Sequence, residues 1–511
     1  MADMPEPVLL GSQSMTAAEV VDIVRGHTPV GLTEAAQMNL VATRQHIEKL
    51  ADATSPTYGV STGFGALATR HIPVESRTAL QRSLIRSHAA GAGPAVEPEV
   101  VRALMLLRLR TLASGYTGVR PETAKTLAAL LNADITPIVH EYGSLGCSGD
   151  LAPLAAVALA LMGEGEVVHE GSRKPAAAAL GAAGITPIVL AEKEGLALTN
   201  GTDGMLGMLL LAAADLHRLL DVADLTAAMS VEALLGTDRA FAADLQALRP
   251  HPGQAVSAAR MRAALDGSEI VESHRGPDCN RVQDAYSLRC APQVHGAARD
   301  TLAHAELVAG RELQSAVDNP VVLADGRVES NGNFHGAPVA YVLDFLAIPV
   351  ADVASIAERR TDRMLDQARS HGLPPFLAHD PGVDSGHMIA QYTQAAVVTE
   401  LKRLAVPASV DSIPSSAMQE DHVSMGWSAA RKLRTAIDGL TTVLAVELLT
   451  AARALDLRAP LAPSPVTGRV RDLLRTRVGG PGPDRHLAPE IAAAEELVRS
   501  GAVLTAAELE V

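Results

Sequence analysis

Residues 143–155 read GSLGCSGDLAPLA, with glycines on both sides of a Cys-Ser pair in a chain that otherwise builds helix from alanine and leucine. Glycine in such a chain marks backbone that bends or is approached closely. Three chemistries are open to Cys147, Ser148 and Gly149. A serine nucleophile on a Gly-x-Ser-x-Gly elbow needs glycine where Asp150 stands, and no strand-like run precedes it. A Cys147 thiolate needs a partner histidine. The third chemistry uses the main chain: the Gly149 nitrogen, with no Cβ beside it, attacks the carbonyl two residues back. Loss of the Ser148 hydroxyl then leaves a conjugated, electron-poor five-membered ring. Asp150 itself reads in two ways, as the N-cap of the following apolar helix with Pro153 in its first turn, or as a group that positions the closing backbone.

A loop of this kind needs rigid elements around it. Apolar residues recur at helical spacing from Thr16 to Leu50, and Thr33 followed by Glu34 predicts a capped second helix. Residues 57–71, TYGVSTGFGALATRH, are rich in Gly, Ser and Thr without that period, as expected of a loop that meets a ligand. Helical patterning resumes over 76–90 and 98–113. The β-branched runs EGEVVHEG and GITPIVL, within 164–190, predict a small hairpin or ribbon. Long helices are predicted over 203–235, 292–315, 336–367 with a kink at Pro349, 386–405 and 425–457. Helices of that length bury their apolar stripes best in a bundle, including one shared between subunits. The sequence divides accordingly into 1–200, carrying the Cys-Ser-Gly loop, 201–477, the long-helix bundle, and 478–511, a Gly/Pro linker (VGGPGPDRH) and a peripheral helix.

Composition narrows the partners. Hydrophobic residues make up 48% of the 511 positions and aromatic ones 2%, so cores must be built from Ala, Leu and Val. A formal charge of -15 disfavours nucleic acid and anionic membrane surfaces, both of which call for concentrated positive charge. The N-terminus, MADMPEPVLLGSQS, carries acids where a secretory signal needs bases, and apolar runs such as LAPLAAVALALMG fall short of a bilayer span, so a cytoplasmic protein is expected. Cys147, Cys279 and Cys290 form no CxxC pair and match no common metal template, which predicts reduced thiols and no metal. The six lysines stand in no telling context.

GSLGCSGDLAPL resembles the signature of the histidine, phenylalanine and tyrosine ammonia-lyases, whose Xaa-Ser-Gly triad cyclises to 4-methylideneimidazole-5-one (MIO). YGVSTGFG (58–65), SHAAG (87–91), LTNGT (198–202), VQDAYSLRCAPQVHG (282–296), SAVDNPVV (315–322), SNGNFHG (330–336) and QEDHVSMG (419–426) are similar to that family, in its order. Within it the chain resembles the bacterial histidine ammonia-lyases most. The resemblance implies a mainly α protein of the aromatic amino acid lyase fold, assembled as a homotetramer. It implies that Cys147, Ser148 and Gly149 form the MIO, with Cys147 where many members carry Ala, and that no diffusible cofactor is used. Tyr58 becomes the acid/base at the β-proton, and Tyr286 supports the leaving amine or the MIO. Arg289, three residues from Tyr286, has the planar fork for a bidentate carboxylate contact. Asn200 and Gln283 become hydrogen-bonders and Phe334 a pocket wall.

Ser87-His88 matches the Ser-His of histidine enzymes, where tyrosine enzymes carry His-Leu and phenylalanine enzymes Phe-Leu. With Glu420 it gives polar partners for both nitrogens of an imidazole, each costing roughly 1–3 kcal/mol if buried unpaired. The implied reaction is L-histidine to trans-urocanate and ammonia. Two alternatives stand beside it: an MIO-dependent histidine 2,3-aminomutase giving β-histidine, and a catalytically inactive helical scaffold. The chain departs from many histidine enzymes at Ala155-Ala156 and in loop 267–281.

Overall fold

The first two helices begin where a threonine hydroxyl replaces a missing turn of backbone. Thr16 accepts from Glu19 N at 3.2 Å while the Glu19 carboxylate accepts from Thr16 N at 2.7 Å, a reciprocal capping box heading Ala17–Gly26. Thr33 accepts from Ala36 N at 3.1 Å and heads Glu34–Ala51, as its sequence predicts. Proline at the first turn starts Pro98–Ala113 and Pro121–Asn132. The computed structural model describes residues 6–11, 15–52, 57, 59–63, 65–67, 69–276, 279 and 281–509.

Packing divides the chain into two units. The first draws on Met1–Leu211, Glu306–Leu343 and Pro407–Arg431, the second on Ala212–Ala305, Asp344–Val406 and Lys432–Val511. The division by sequence pattern into 1–200, 201–477 and 478–511 is consecutive, whereas each packed unit gathers three separated stretches.

In the first unit Pro98–Ala113 is the central helix, every residue from Val100 to Leu109 being buried, with Ala17–Gly26, Glu34–Ala51, Pro121–Asn132 and Leu151–Leu161 against it. All the described strands belong to this unit, in four small sheets. One of them positions chemistry: Ala92–Ala95 pairs antiparallel with His140–Tyr142, with Ala92 opposite Tyr142, so the chain leaving the Arg77–His88 helix runs beside the chain entering residue 143. The expected hairpin forms from Glu166–His169 and Ser172–Pro175. GITPIVL does not join it. The edge beside Glu166–His169 is taken by Thr136–Pro137, and Ile188 N instead donates to Leu161 O at 3.0 Å.

The second unit is a bundle built of Met388–Leu404 and the greater part of each of four other long helices. Asp203–Ala233, Ala291–Glu312, Ala337–Leu365, Met388–Leu404 and Gly426–Asp456 match the predicted spans to within three residues, and the third runs through Pro349. Its interior is aliphatic but holds a fully buried pair, Arg360 and Glu447, with Thr226 and Ser230 also donating to Glu447, each at 2.8 Å. The terminal helices Ala488–Arg499 and Ala502–Ala507 bury Ala494, Val498 and Val503 here. One expectation is corrected: Ala337–Leu365 and Gly426–Asp456 are long and apolar enough to cross a bilayer. Their most apolar windows are 61% and 78% buried inside the protein, as core helices are.

Candidate active site

Gly149 sits at φ +83° and Gly146 at φ +66°, both in the left-handed region. A Cβ on Gly149 would collide with the Gly201 carbonyl, and one on Gly146 with the Ser424 hydroxyl. The sequence therefore needs glycine at both places, and the reason is close approach as much as backbone angle. Asp150 N donates to Gly201 O at 2.7 Å, pinning the end of the Cys-Ser-Gly loop to the LTNGT turn. On the other side Ser424 Oγ donates to Gly146 O at 3.1 Å and Met425 N to Leu145 O at 3.0 Å. Cys147 packs in a buried cluster with Val423 and Met425, and Ser148 is half-buried. This braced loop, with a Cβ-free nitrogen at Gly149, fits the ring closure that an MIO requires.

Asp150 resolves its two readings. It makes no side-chain bond at the head of its own helix, Leu151–Leu161. Its Oδ2 accepts from Gly204 N at 3.0 Å and Met205 N at 2.9 Å, capping Asp203–Ala233, and its Oδ1 accepts from Ser144 Oγ at 3.0 Å. The positive end of that helix thus meets a carboxylate next to Gly149. Burial pushes the Asp150 carboxyl up to about 7, the Met205 amide and Ser144 hydroxyl pulling the other way.

Cys147 is not a thiolate. Burial, then the neighbouring negative Glu420, pushes its thiol up to about 12. Glu420 also accepts from Ser415 Oγ at 3.1 Å. His88 closes the Arg77–His88 helix and lies within the field of Glu420, although burial dominates and lowers its pKa. Its Nδ1 donates to Leu84 O at 2.9 Å, which leaves the Nε2 lone pair as an acceptor. His88 and Glu420 therefore both offer acceptors. A neutral imidazole, with one N–H, serves one of them at a time, and only its protonated form serves both. The structure thus brings His88, Glu420 and Cys147-Ser148-Gly149 together in the first unit.

The remaining candidates are placed as follows. Tyr58 lies outside the described residues. Asn200 is buried beside Gly201, and its Nδ2 donates to Asn319 O at 3.0 Å, leaving its oxygen for any role in the site. Phe334 is half-buried in the first unit, and the next residue, His335, stacks on His422 with ring centroids 5.5 Å apart, joining the GNFHG and QEDH segments. Gln283, Tyr286 and Arg289 belong to the second unit and line one cleft there of about 870 Å³ with Arg281, Arg363 and His371. The Arg289 guanidinium lies over the Tyr286 ring, 4.7 Å from its centroid, and Arg289 Nε donates to Asp284 O at 2.9 Å. Excess arginine makes this cleft suited to a carboxylate. A separate hollow of about 880 Å³, lined by Phe241, His251 and Arg262 among others, holds none of the candidates. Among the described residues no group of three His, Cys, Asp or Glu is arranged to hold a metal ion.

Residues 15–476 match the aromatic amino acid lyase family. The chain belongs to that family. It is 66% identical to the histidine ammonia-lyase of Streptomyces avermitilis over 503 residues, 98% of each chain. Among solved structures, a tyrosine aminomutase from Streptomyces globisporus superimposes with a TM-score of 0.92 at 37% identity, covering 98% of both chains. A histidine ammonia-lyase from Trypanosoma cruzi gives 0.90 at 37% identity, covering 98% of this chain and 95% of that one.

Several residues that brace this lyase site carry no local signal in the sequence. Arg108, fully buried, donates from Nε to Asp203 at 3.0 Å and from Nη1 to Ala197 O at 3.0 Å, and its guanidinium lies where a Cβ on Gly201 would fall. Lys193, without telling context in the sequence, is fully buried and bonds Asp318 at 2.5 Å, one residue before the Asn319 that holds Asn200. Arg108 stands in an apolar run, which hints at a buried pair without naming the partner, whereas Lys193 stands between two glutamates and gives no such hint.

Proposed function

We propose that this family member is a histidine ammonia-lyase that eliminates ammonia from L-histidine to give trans-urocanate. The observation carrying this reading is His88 and Glu420 converging beside Cys147-Ser148-Gly149, and the 66% identity to a histidine ammonia-lyase supports it. A phenyl ring would leave the His88 Nε2 acceptor unpaired at roughly 1–3 kcal/mol and offer nothing to the Glu420 carboxylate, so the site favours a ring that donates. An MIO cyclised from the tripeptide supplies electrophilic activation of the amine as a leaving group. Asp150, Ser144 and Ser424 hold the loop in the shape that closure needs. Tyr58 takes the β-proton, Tyr286 supports the leaving amine, and Arg289 clamps the carboxylate with its fork. The Asn200 oxygen accepts and the Gln283 amide accepts or donates at the amine side, and Phe334 walls the pocket.

We place the protein in the cytoplasm as a homotetramer. Tyr341, Phe345 and Ile348 leave about half their surface exposed along one helix, at 49%, 49% and 54%, an apolar stripe that subunit packing would cover. A histidine 2,3-aminomutase is the second reading, favoured by the backbone shared with a tyrosine aminomutase. Incubation with L-histidine, L-phenylalanine and L-tyrosine decides. A conjugated acrylate formed from histidine alone is expected, whereas β-histidine as the main product would select the aminomutase. Ser148→Ala should abolish turnover, keep the melting temperature, and lack the loss of two waters that intact mass is expected to show for the wild type. Near-normal activity in that variant would remove the MIO from the account.

A further inference from the structure

Residues 415 and 420 close a tight loop, with Ser415 N donating to Glu420 O at 2.9 Å and Glu420 N to Ser415 O at 3.3 Å. Between them Ser416, Ala417 and Met418 stand at φ 50°, 52° and 68°, three consecutive residues with a Cβ in the left-handed region. Strained backbone of this kind persists where its surroundings over-determine it, and it clusters at functional sites. What this loop delivers is the Glu420 side chain. Ser415 Oγ donates to Glu420 Oε2 at 3.1 Å from within the loop, and Ser424 and Met425, farther along the same segment, tie it to the chain entering the tripeptide.

We infer that Ser415 is a positioning residue for Glu420, donating to its carboxylate from within the strained loop and holding it in the orientation that reads the substrate imidazole. The inference rests on the imidazole-reading role of Glu420 proposed above. A glutamate side chain free to sample its rotamers would lose entropy on meeting the ring, and a donor fixed in the same loop removes part of that loss in advance.

Calorimetric binding of 3-(imidazol-4-yl)propionate, which has no amine to lose, tests this against 3-phenylpropionate. Wild type, Ser415→Ala, Ser415→Thr and Glu420→Ala are compared, each checked by intact mass for the loss of two waters. Ser415→Ala should weaken the imidazole ligand by about five- to tenfold, the effect of one net hydrogen bond. Phenylpropionate should stay within about twofold, and the hydroxyl-bearing Ser415→Thr should restore binding. Unchanged imidazole binding in Ser415→Ala, with Glu420→Ala weakened, would overturn the positioning role and leave the Glu420 reading standing. Unchanged binding in Glu420→Ala would remove that reading, and this inference with it. Equal losses on both ligands would assign Ser415 to general packing and overturn the positioning role.

Discussion

Asp150 is followed by an apolar helix and bonds to the head of a different one, 54 and 55 residues away in the chain. That single carboxylate couples the tripeptide loop to the Asp203–Ala233 helix, so its removal should be felt in both. Asp150→Ala leaves two buried amides and the Ser144 hydroxyl without their acceptor and is expected to cost about 3 kcal/mol in denaturant unfolding. Its titration also sets a pH dependence. The carboxyl has an ordinary value of 3.8 and a folded value of about 7, so between them the folded protein holds more protons than the unfolded chain. Stability from this group is complete at low pH and is lost as pH rises through about 7, at up to about 1.4 kcal/mol per pH unit. The melting temperature of the wild type relative to Asp150→Asn, which cannot titrate, should therefore fall between pH 5 and pH 8, and a constant gap would contradict the shift. The glycines at 146 and 149 announce this site in the sequence because only glycine meets both demands on the backbone. The partners of Asp150 are not announced, because which amides a carboxylate meets is settled by tertiary packing.

Among the elements, the pentapeptide ITPIV occurs twice, at 135–139 and 185–189. The first copy supplies Thr136–Pro137 to a sheet, while the second makes no strand, since that edge is already occupied. Local propensity is equal in the two copies, so tertiary context alone separates them. Helix starts at Thr16, Thr33 and Pro98 were legible because those residues satisfy or remove unpaired amides locally, whereas the helix opened by Pro121 was not read from the sequence. The cross-links between helices were not. Glu447 is one, joining Arg360, Thr226 and Ser230 from two other helices with no exposure to water. Glu447→Ala, by leaving the Arg360 guanidinium buried without its counter-charge, is expected to lose about 3–5 kcal/mol. The paired replacement Arg360→Met with Glu447→Leu should unfold closer to wild type, and urea titration of the three variants distinguishes the cost of an orphaned charge from the value of the pair.

For the whole molecule, fold class and family were readable because helical periodicity and a string of ordered motifs agree, whereas the gathering of each unit from three separated stretches has no counterpart in local pattern. The exposed apolar stripe of Tyr341, Phe345 and Ile348 is the surface on which the proposed tetramer is tested. Light scattering should return the mass of four chains for the wild type and a smaller species for Phe345→Lys combined with Ile348→Lys, and an unchanged mass would remove this stripe from the subunit interface. The chain has a single tryptophan, Trp427, buried in the first unit with its indole N–H donating to Glu141 O at 2.8 Å and its ring against Gly204. Its emission is thus an optical probe of one half of the protein, seated beside the strand that leads into the Cys-Ser-Gly loop. Followed together with circular dichroism, which sums helices from both halves, it turns a routine melt into a measurement of cooperativity: coincident curves mean one transition, and displaced curves mean that the halves let go in turn.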